Sequence, residues 1–198
     1  MSKQYDRAYF DKWYRSRNHR VHDRGEVRRK TIVAVSLAEY FLRRPIETVL
    51  DVGAGEGAWL PRLRAVRRNI AYIGIDPSDY AVERYGASRN LRKGGFADLA
   101  SLRFRDSFDL VICSDVMHYL SERDLRTGLP ELARLTGGVA YIEVLTKEDE
   151  IIGDLDGLIP RPAAFYQRLI ERAGFAQAGP YCWIGPEIRE VATKLELP

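Results

Sequence analysis

The chain has 198 residues, with 31 Lys and Arg against 28 Asp and Glu for a formal charge of +3, and 45% of its residues are hydrophobic. This composition fits one globular domain with room for an apolar core, and it excludes collagen-like, low-complexity and disordered chains. No apolar run is long enough to span a bilayer and the opening MSKQYDRAYF lacks a signal-like apolar stretch, so a cytoplasmic protein without membrane association is expected.

In chain order, the first feature is a basic stretch. Between Lys12 and Lys30 lie Arg15, Arg17, Arg20, Arg24, Arg28 and Arg29, opposed only by Asp23 and Glu26. Tyr5, Tyr9, Phe10, Trp13 and Tyr14 precede or interleave with these charges. Such a pattern suits a nucleic-acid patch, or the solvated face of a helix that folds over a ligand pocket. His19 and His22 beside Asp23 lack the further ligands a metal would need, so they read as solvated positions. Val33, Leu37, Tyr40 and Phe41 fall at helical spacing, and Pro45 ends that helix. Residues 1–30 are expected to form an aromatic and basic lid segment, with the main domain over 31–198.

From Glu47 the pattern alternates between strand and helix. ETVLDVG (47–53) reads as a buried strand, followed by a helix over about 57–68 with Pro61 in its first turn. AYIGID (71–76) is the second strand and Tyr80 to Ser88 the second helix of this series. A short strand precedes Asp98, and FDLVICSD (108–115) is a further buried strand. Ser121 offers an N-cap to a helix expected to break near Gly128 and Pro130. GGVAYIEVL (137–145) is the fifth strand, and Pro162 opens a helix stopped by Gly174. Two last strands, near 177–184 and 189–195, are expected to pair as an antiparallel hairpin. Cys113 and Cys182 are too far apart for a zinc knuckle or a CxxC pair, so no metal site is expected. The alternation predicts an α/β fold, a doubly wound, mostly parallel sheet with helices on both faces, which binds ligands at the carboxyl ends of its strands.

The marked residues fall at those ends. Asp51-Val52-Gly53-Ala54-Gly55-Glu56-Gly57 follows the first strand. Its alternate glycines admit positive φ and let a ligand approach the backbone, while the next helix directs free N–H groups at an anionic group. Asp51 adds an anion that suits a ligand also carrying an ammonium. Gly53-x-Gly55-x-x-Ala58 equally satisfies the dinucleotide pattern. Asp76, at the end of the second strand and followed by Pro77, suits ribose hydroxyls, which S-adenosylmethionine and NAD share.

Taken together, VLDVGAGEGAWL, IGIDPSDYAVERY, GFADLASL and FDLVICSDVMHYLSERDL occur in order at spacings that resemble the class I, Rossmann-like methyltransferases over roughly residues 31–197. The resemblance implies a seven-stranded sheet with an antiparallel last strand and S-adenosyl-L-methionine as cofactor. It places Asp76 on the ribose, Asp98 on the adenine amino group with Ala97 and Leu99 against the ring, and Ser114 and Asp115 beside the methyl-transfer site. Methyl transfer from a sulfonium is an in-line displacement that requires alignment of the reactants rather than a metal or covalent nucleophile. His118 reads as the candidate general base or as a structural histidine bonding the neighbouring turn, with Tyr119 and Glu143 as weaker candidates for the base; Tyr14 or Trp13 would stand near the sulfonium by cation–π attraction, or the N-terminal rings simply pack on the sheet's helices. The acidic segment Thr146–Pro162 flanks the expected pocket, where it would receive a cationic acceptor or simply keep a loop soluble.

A small-molecule acceptor is the first expectation. Alternatives are an RNA or protein methyltransferase using the Lys12–Lys30 stretch, an NAD-dependent oxidoreductase, and a non-catalytic S-adenosylmethionine-binding protein. The Asn/Asp-Pro-Pro-Tyr/Phe tetrapeptide of nucleobase amine methylases is absent. The acceptor and the oligomeric state are not written in the sequence.

Overall fold

The computed structural model describes residues 5–15, 24–150 and 154–193. Its centre is a seven-stranded sheet in the order β3-β2-β1-β4-β5-β7-β6. The strands are β1 (Thr48–Val52), β2 (Ala71–Asp76), β3 (Leu91–Lys93), β4 (Phe108–Ser114), β5 (Thr136–Glu143), β6 (Ala176–Gly179) and β7 (Cys182–Ile184). β1 to β5 pair in parallel, and β7 alone runs antiparallel to both its neighbours. The helices are α1 (Arg7–Phe10), α2 (Arg24–Leu42), α3 (Trp59–Val66), α4 (Asp79–Arg89), α5 (Glu122–Arg134) and α6 (Ala163–Arg172).

Successive strand residues point to opposite faces, and this divides the core in two. Leu50, Val52, Val111, Cys113, Ala140 and Ile142 join the side chains of α5 and α6. Val49, Leu110, Ile112, Val139 and Tyr141 join those of α2 and α3. Both faces are covered, which is why these strands read as continuous apolar runs. At the end of the sheet remote from the strand-end loops, Asp109 accepts two hydrogen bonds from Arg44 and one each from the N–H groups of Glu47 and Thr48, clamping the entries of β1 and β4.

Three local expectations are corrected. α5 is continuous through Gly128 and Pro130, because its buried stripe of Leu125, Leu129, Leu132 and Ala133 outweighs the local cost of proline. A Cβ at Gly128 would lie 2.3 Å from Phe96 Cε1, so this glycine serves close packing rather than a break. The expected strand over 177–184 is itself the hairpin, turned at Pro180 and Tyr181, the latter with φ 59°. The segment Pro186–Thr193 is a 3-10 helix, with Ile188 N–H bonded to the Gly185 carbonyl, rather than the start of another strand. On α2, Val33 and Tyr40 are exposed, and the buried line is Thr31, Ala34, Val35 and Ala38, since small side chains are what the close-lying sheet admits. α2 runs unbroken through Lys30 and Thr31. Among the described residues, no helix is long and apolar enough to cross a membrane.

Candidate functional site

The carboxyl ends of β1, β2 and β4 open into a cavity of about 310 Å³. Its floor is the loop after β1. Gly53, Gly55 and Gly57 have φ of 75°, 54° and 74°, the left-handed region that side chains disfavour. At Gly53 space is the second reason, because a Cβ would stand 2.2 Å from Val116 Cγ2. The N–H groups of Gly53 and Ala54 both bond the Ile75 carbonyl, which ties the loop to β2.

Asp76 organises the next wall. Its Oδ2 accepts from Gly55 N–H at 2.6 Å and its Oδ1 from Ser78 N–H at 2.8 Å. Burial pushes this carboxyl above its ordinary range, and the two N–H groups partly offset that. A carboxylate has about four lone-pair sites, so two bonds to the chain leave acceptor capacity for a diol in the cavity. In the same lining, Asp98 in the 3-10 turn Phe96–Asp98 accepts from Gly95 N–H at 2.9 Å. Pro77, Ala97, Asp98, Ser114 and Asp115 all line the cavity, together with Gly53, Ala54, Gly55 and Asp76. Asp115 has φ 60°, a strained value for a residue with a side chain, held by its N–H bond to the Glu143 carbonyl.

Four other residues singled out in the sequence lie behind the wall. Asp51 is buried and bonded by Tyr72 Oη at 2.7 Å. Burial first, then the nearby Asp76 carboxylate, push it up to about 7 against the opposing Tyr72 bond. Gly57 faces Arg89 rather than the cavity, and Leu99 is core. The proposed base His118 is completely buried and outside the lining. Its Nδ1 accepts from Leu145 N–H at 3.2 Å and its carbonyl from Ile159 N–H at 2.9 Å, so it ties the exit of β5 to the turn after β4. The side chain of Tyr14, and His19 and His22 entirely, lie outside the described residues.

The sequence reading missed Lys30 as a wall residue. Its Nζ reaches Glu143 at 2.6 Å and Glu26 at 2.7 Å, and Glu143 accepts from Ser114 Oγ at 2.7 Å. Burial opposes this ammonium, yet the two carboxylates outweigh it and hold its pKa above the ordinary value. Val27 and Trp59 are further wall residues it did not single out. The only signal for Lys30 was its place on a helix whose small residues face the sheet. From the N-terminal side come Tyr5, Tyr9 and Phe10. Asp6 caps α1, and Arg15 anchors the segment to Glu56 and to the Tyr80 hydroxyl at 3.2 Å.

A glycine loop, a strand-end acid and a second acid thus line one cavity at the strand ends of this topology. A family model described as "Methyltransferase domain" matches residues 50–137, which include the loop, Asp76, Asp98 and β4. The matched segment, residues 50–137, is part of a methyltransferase domain. Solved structures agree on the fold of the methyltransferase domain. A SAM-dependent methyltransferase from Archaeoglobus fulgidus is 18% identical with a TM-score of 0.61, over 86% of this chain and 74% of that one. The plantazolicin methyltransferase BamL, in complex with a desmethylPZN analogue and SAH, is 15% identical with a TM-score of 0.60, over 77% of this chain and 65% of its own. The [4+2]-cyclase SpnF is 24% identical with a TM-score of 0.55, over 76% of this chain and 57% of its own. The chain thus spans less than two thirds of the length of the last two. A comparison with curated protein sequences finds no match.

Proposed function

We propose that the cavity binds S-adenosyl-L-methionine and that the protein transfers its methyl group to a small-molecule acceptor. The observation that carries this is the wall made by Asp76 and Asp98 above the left-handed Gly53–Gly55 loop, inside the segment matched as a methyltransferase domain. Asp76 is assigned to the ribose hydroxyls, Asp98 with Ala97 to the adenine, and Ser114 and Asp115 to the side where the acceptor meets the methyl group. The cofactor supplies an electrophilic methyl carbon on a sulfonium. The chain's own contribution is positional: orientation and exclusion of water account for about 7–11 kcal/mol of barrier lowering in well-aligned reactions.

His118 takes a positioning role in this reading, supported by its complete burial and its absence from the cavity lining. Tyr119 does line the cavity, and its hydroxyl donates to the Asp154 carbonyl at 3.0 Å. The N-terminal segment acts as a cover, with Tyr5, Tyr9 and Phe10 against the cavity and Arg15 as its anchor. This favours the lid reading of the basic stretch over a nucleic-acid patch, because Arg15 and Lys30 are engaged in ion pairs. A non-methylating role stands as the second reading on one observation, that SpnF carries this fold and is described as a cyclase.

Thermal unfolding with S-adenosylmethionine, S-adenosylhomocysteine and NAD tests the reading. A ligand at a hundred times its Kd stabilises by about 2.7 kcal/mol, which raises the midpoint of a domain this size by about 5–11 °C. Shifts with both sulfur nucleosides and none with NAD are expected; a shift with NAD alone overturns the assignment.

A further inference from the structure

The N-terminal segment is fastened to the two elements that hold Asp76. That carboxylate takes its bonds to the chain from Gly55 N–H, in the loop after β1, and from Ser78 N–H, at the cap of α4. The segment is tied beside each of them. At one end Ser78 Oγ donates to the Tyr5 carbonyl, while accepting from Ala81 N–H as the cap of α4. At the other, Arg15 pairs with Glu56, the residue after Gly55, and Arg89 donates to the Glu56 carbonyl from beneath the loop. Between these ties Phe10 is buried, its ring centre 5.6 Å from that of Tyr80 in the first turn of α4.

The span between the ties walls off the nucleoside part of the cavity. Tyr5, Tyr9 and Phe10 line it from the segment. Burial, and after it the Asp76 carboxylate, push the Tyr5 hydroxyl up to about 12, so the first ring of the segment stands within the field of that acid. A ligand diol on Asp76 thus occupies space that the segment encloses.

The Arg15 tie is built to let go. Its side chain is 37% exposed and that of Glu56 13%, so the pair is stronger than a fully solvated one yet small beside the free energy that holds the sheet together. Arg15 also pairs with Asp11, one turn back on its own segment, so the guanidinium keeps a carboxylate partner when Glu56 is released. The Tyr80 hydroxyl at 3.2 Å completes the seat. Closing the segment steadies the residues on either side of Asp76, and a ligand on Asp76 steadies the same residues, so each favours the other by linkage.

We propose that Arg15 is the latch of a gate over the cofactor. The nucleoside enters and leaves with the Arg15–Glu56 pair open, and closure sets the residence time of S-adenosylmethionine and of the S-adenosylhomocysteine left after transfer. Arg15 is a positioning residue, since it acts through Glu56 and the glycine loop. The proposal rests on the cofactor reading and adds to it the control of entry and release.

Stopped-flow intrinsic fluorescence of the full chain, with Trp59 in the cavity wall as reporter, yields the association and dissociation rates of S-adenosylhomocysteine. Arg15→Met is expected to raise the dissociation rate about tenfold and leave the association rate within about threefold, because a charge-assisted contact of the closed state is lost. Glu56→Gln should do the same. The double variant Arg15→Met/Glu56→Gln should match either single one within about twofold, because all three remove one pair. Rising salt should speed dissociation from the wild type and leave Arg15→Met unchanged. Lys12→Met removes a neighbouring cation that packs on Trp13 and should behave as wild type. The proposal is overturned by an Arg15→Met dissociation rate within about twofold of wild type, by effects that multiply in the double variant, by equal salt dependence in the two proteins, or by a Lys12→Met that behaves as Arg15→Met does. Wild-type protein that binds no S-adenosylhomocysteine at all would instead overturn the cofactor reading on which the proposal rests.

Discussion

Asp51→Asn is the substitution whose outcome the structure constrains most tightly. Asp51 is a motif acid next to the glycine loop, yet it is 2% exposed and its visible partner is Tyr72 Oη. Burial, helped by Asp76, raises it from an ordinary 3.8 to about 7. The sign follows from proton counting. Between those two values the folded state binds the proton and the unfolded state has lost it, so stability falls as pH rises. The contribution is fully present below about pH 4, and its loss is complete above about pH 7. The whole interval corresponds to about 4 kcal/mol, of which about 2–3 kcal/mol lies between pH 5 and 8. Asparagine keeps an oxygen to accept from Tyr72 and carries no charge, so this slope should vanish. The assay is urea unfolding of wild type and variant at half-unit steps from pH 5 to 8. The variant is expected to gain on wild type by about 2–3 kcal/mol across that range, even if burying the new amide N–H₂ lowers its stability at every pH. Parallel pH curves for the two proteins would refute the reasoning, and would mean that Asp51 is ionised in the fold.

Asp76→Ala removes the cavity carboxylate and is expected to weaken S-adenosylhomocysteine binding by at least about a hundredfold in calorimetry, far more than Asp51→Asn does. Gly53→Ala puts a Cβ at 2.2 Å from Val116 Cγ2 at a residue with φ 75°, so loss of cofactor binding together with about 2–3 kcal/mol of stability is expected by thermal shift and unfolding. Asp109 is raised by burial, but Arg44 and the Glu47 and Thr48 N–H groups outweigh this and hold it below the ordinary carboxylate range. Its contribution is therefore present above about pH 4 and lost as pH falls through its folded value; Asp109→Asn should cost about 2–3 kcal/mol at pH 7 and flatten the acid limb of the stability curve. His118→Ala should lower the urea midpoint by an equivalent of about 2–3 kcal/mol while S-adenosylhomocysteine affinity stays within about threefold, as befits a buried side chain that supports the β5 exit.

Much of this molecule was legible in one dimension. β1, β2, β4 and β5 are apolar runs bounded by turn residues, and the loop at Gly53–Gly57 and the strand-end acid Asp76 follow directly from them. Less local features were misjudged. Pro130 looked like a break because helix propensity was weighed without the apolar stripe it lies beside, and Gly128 looked like a weak point when it makes room for Phe96. The last strands were misplaced because a four-residue and a three-residue strand leave hardly one period of alternation to read.

The sequence alone determined the order of strands and helices from β1 to β5, the glycine loop and the strand-end positions of Asp51, Asp76 and Asp115, because those depend on periodicity and turn chemistry within a few residues. Which acid faces the cavity was a tertiary decision. Asp51 and Asp76 both sit at strand ends, but Tyr72 covers one and the N–H groups of Gly55 and Ser78 present the other. Likewise only the fold could set Lys30 against Glu143, turn His118 away from the cavity, and lay Asp154 beside Tyr119. Burial and charge pairing are properties of neighbours in space, and apart from Ser78, two residues from Asp76, the paired neighbours are separated by 21 to 113 residues of chain.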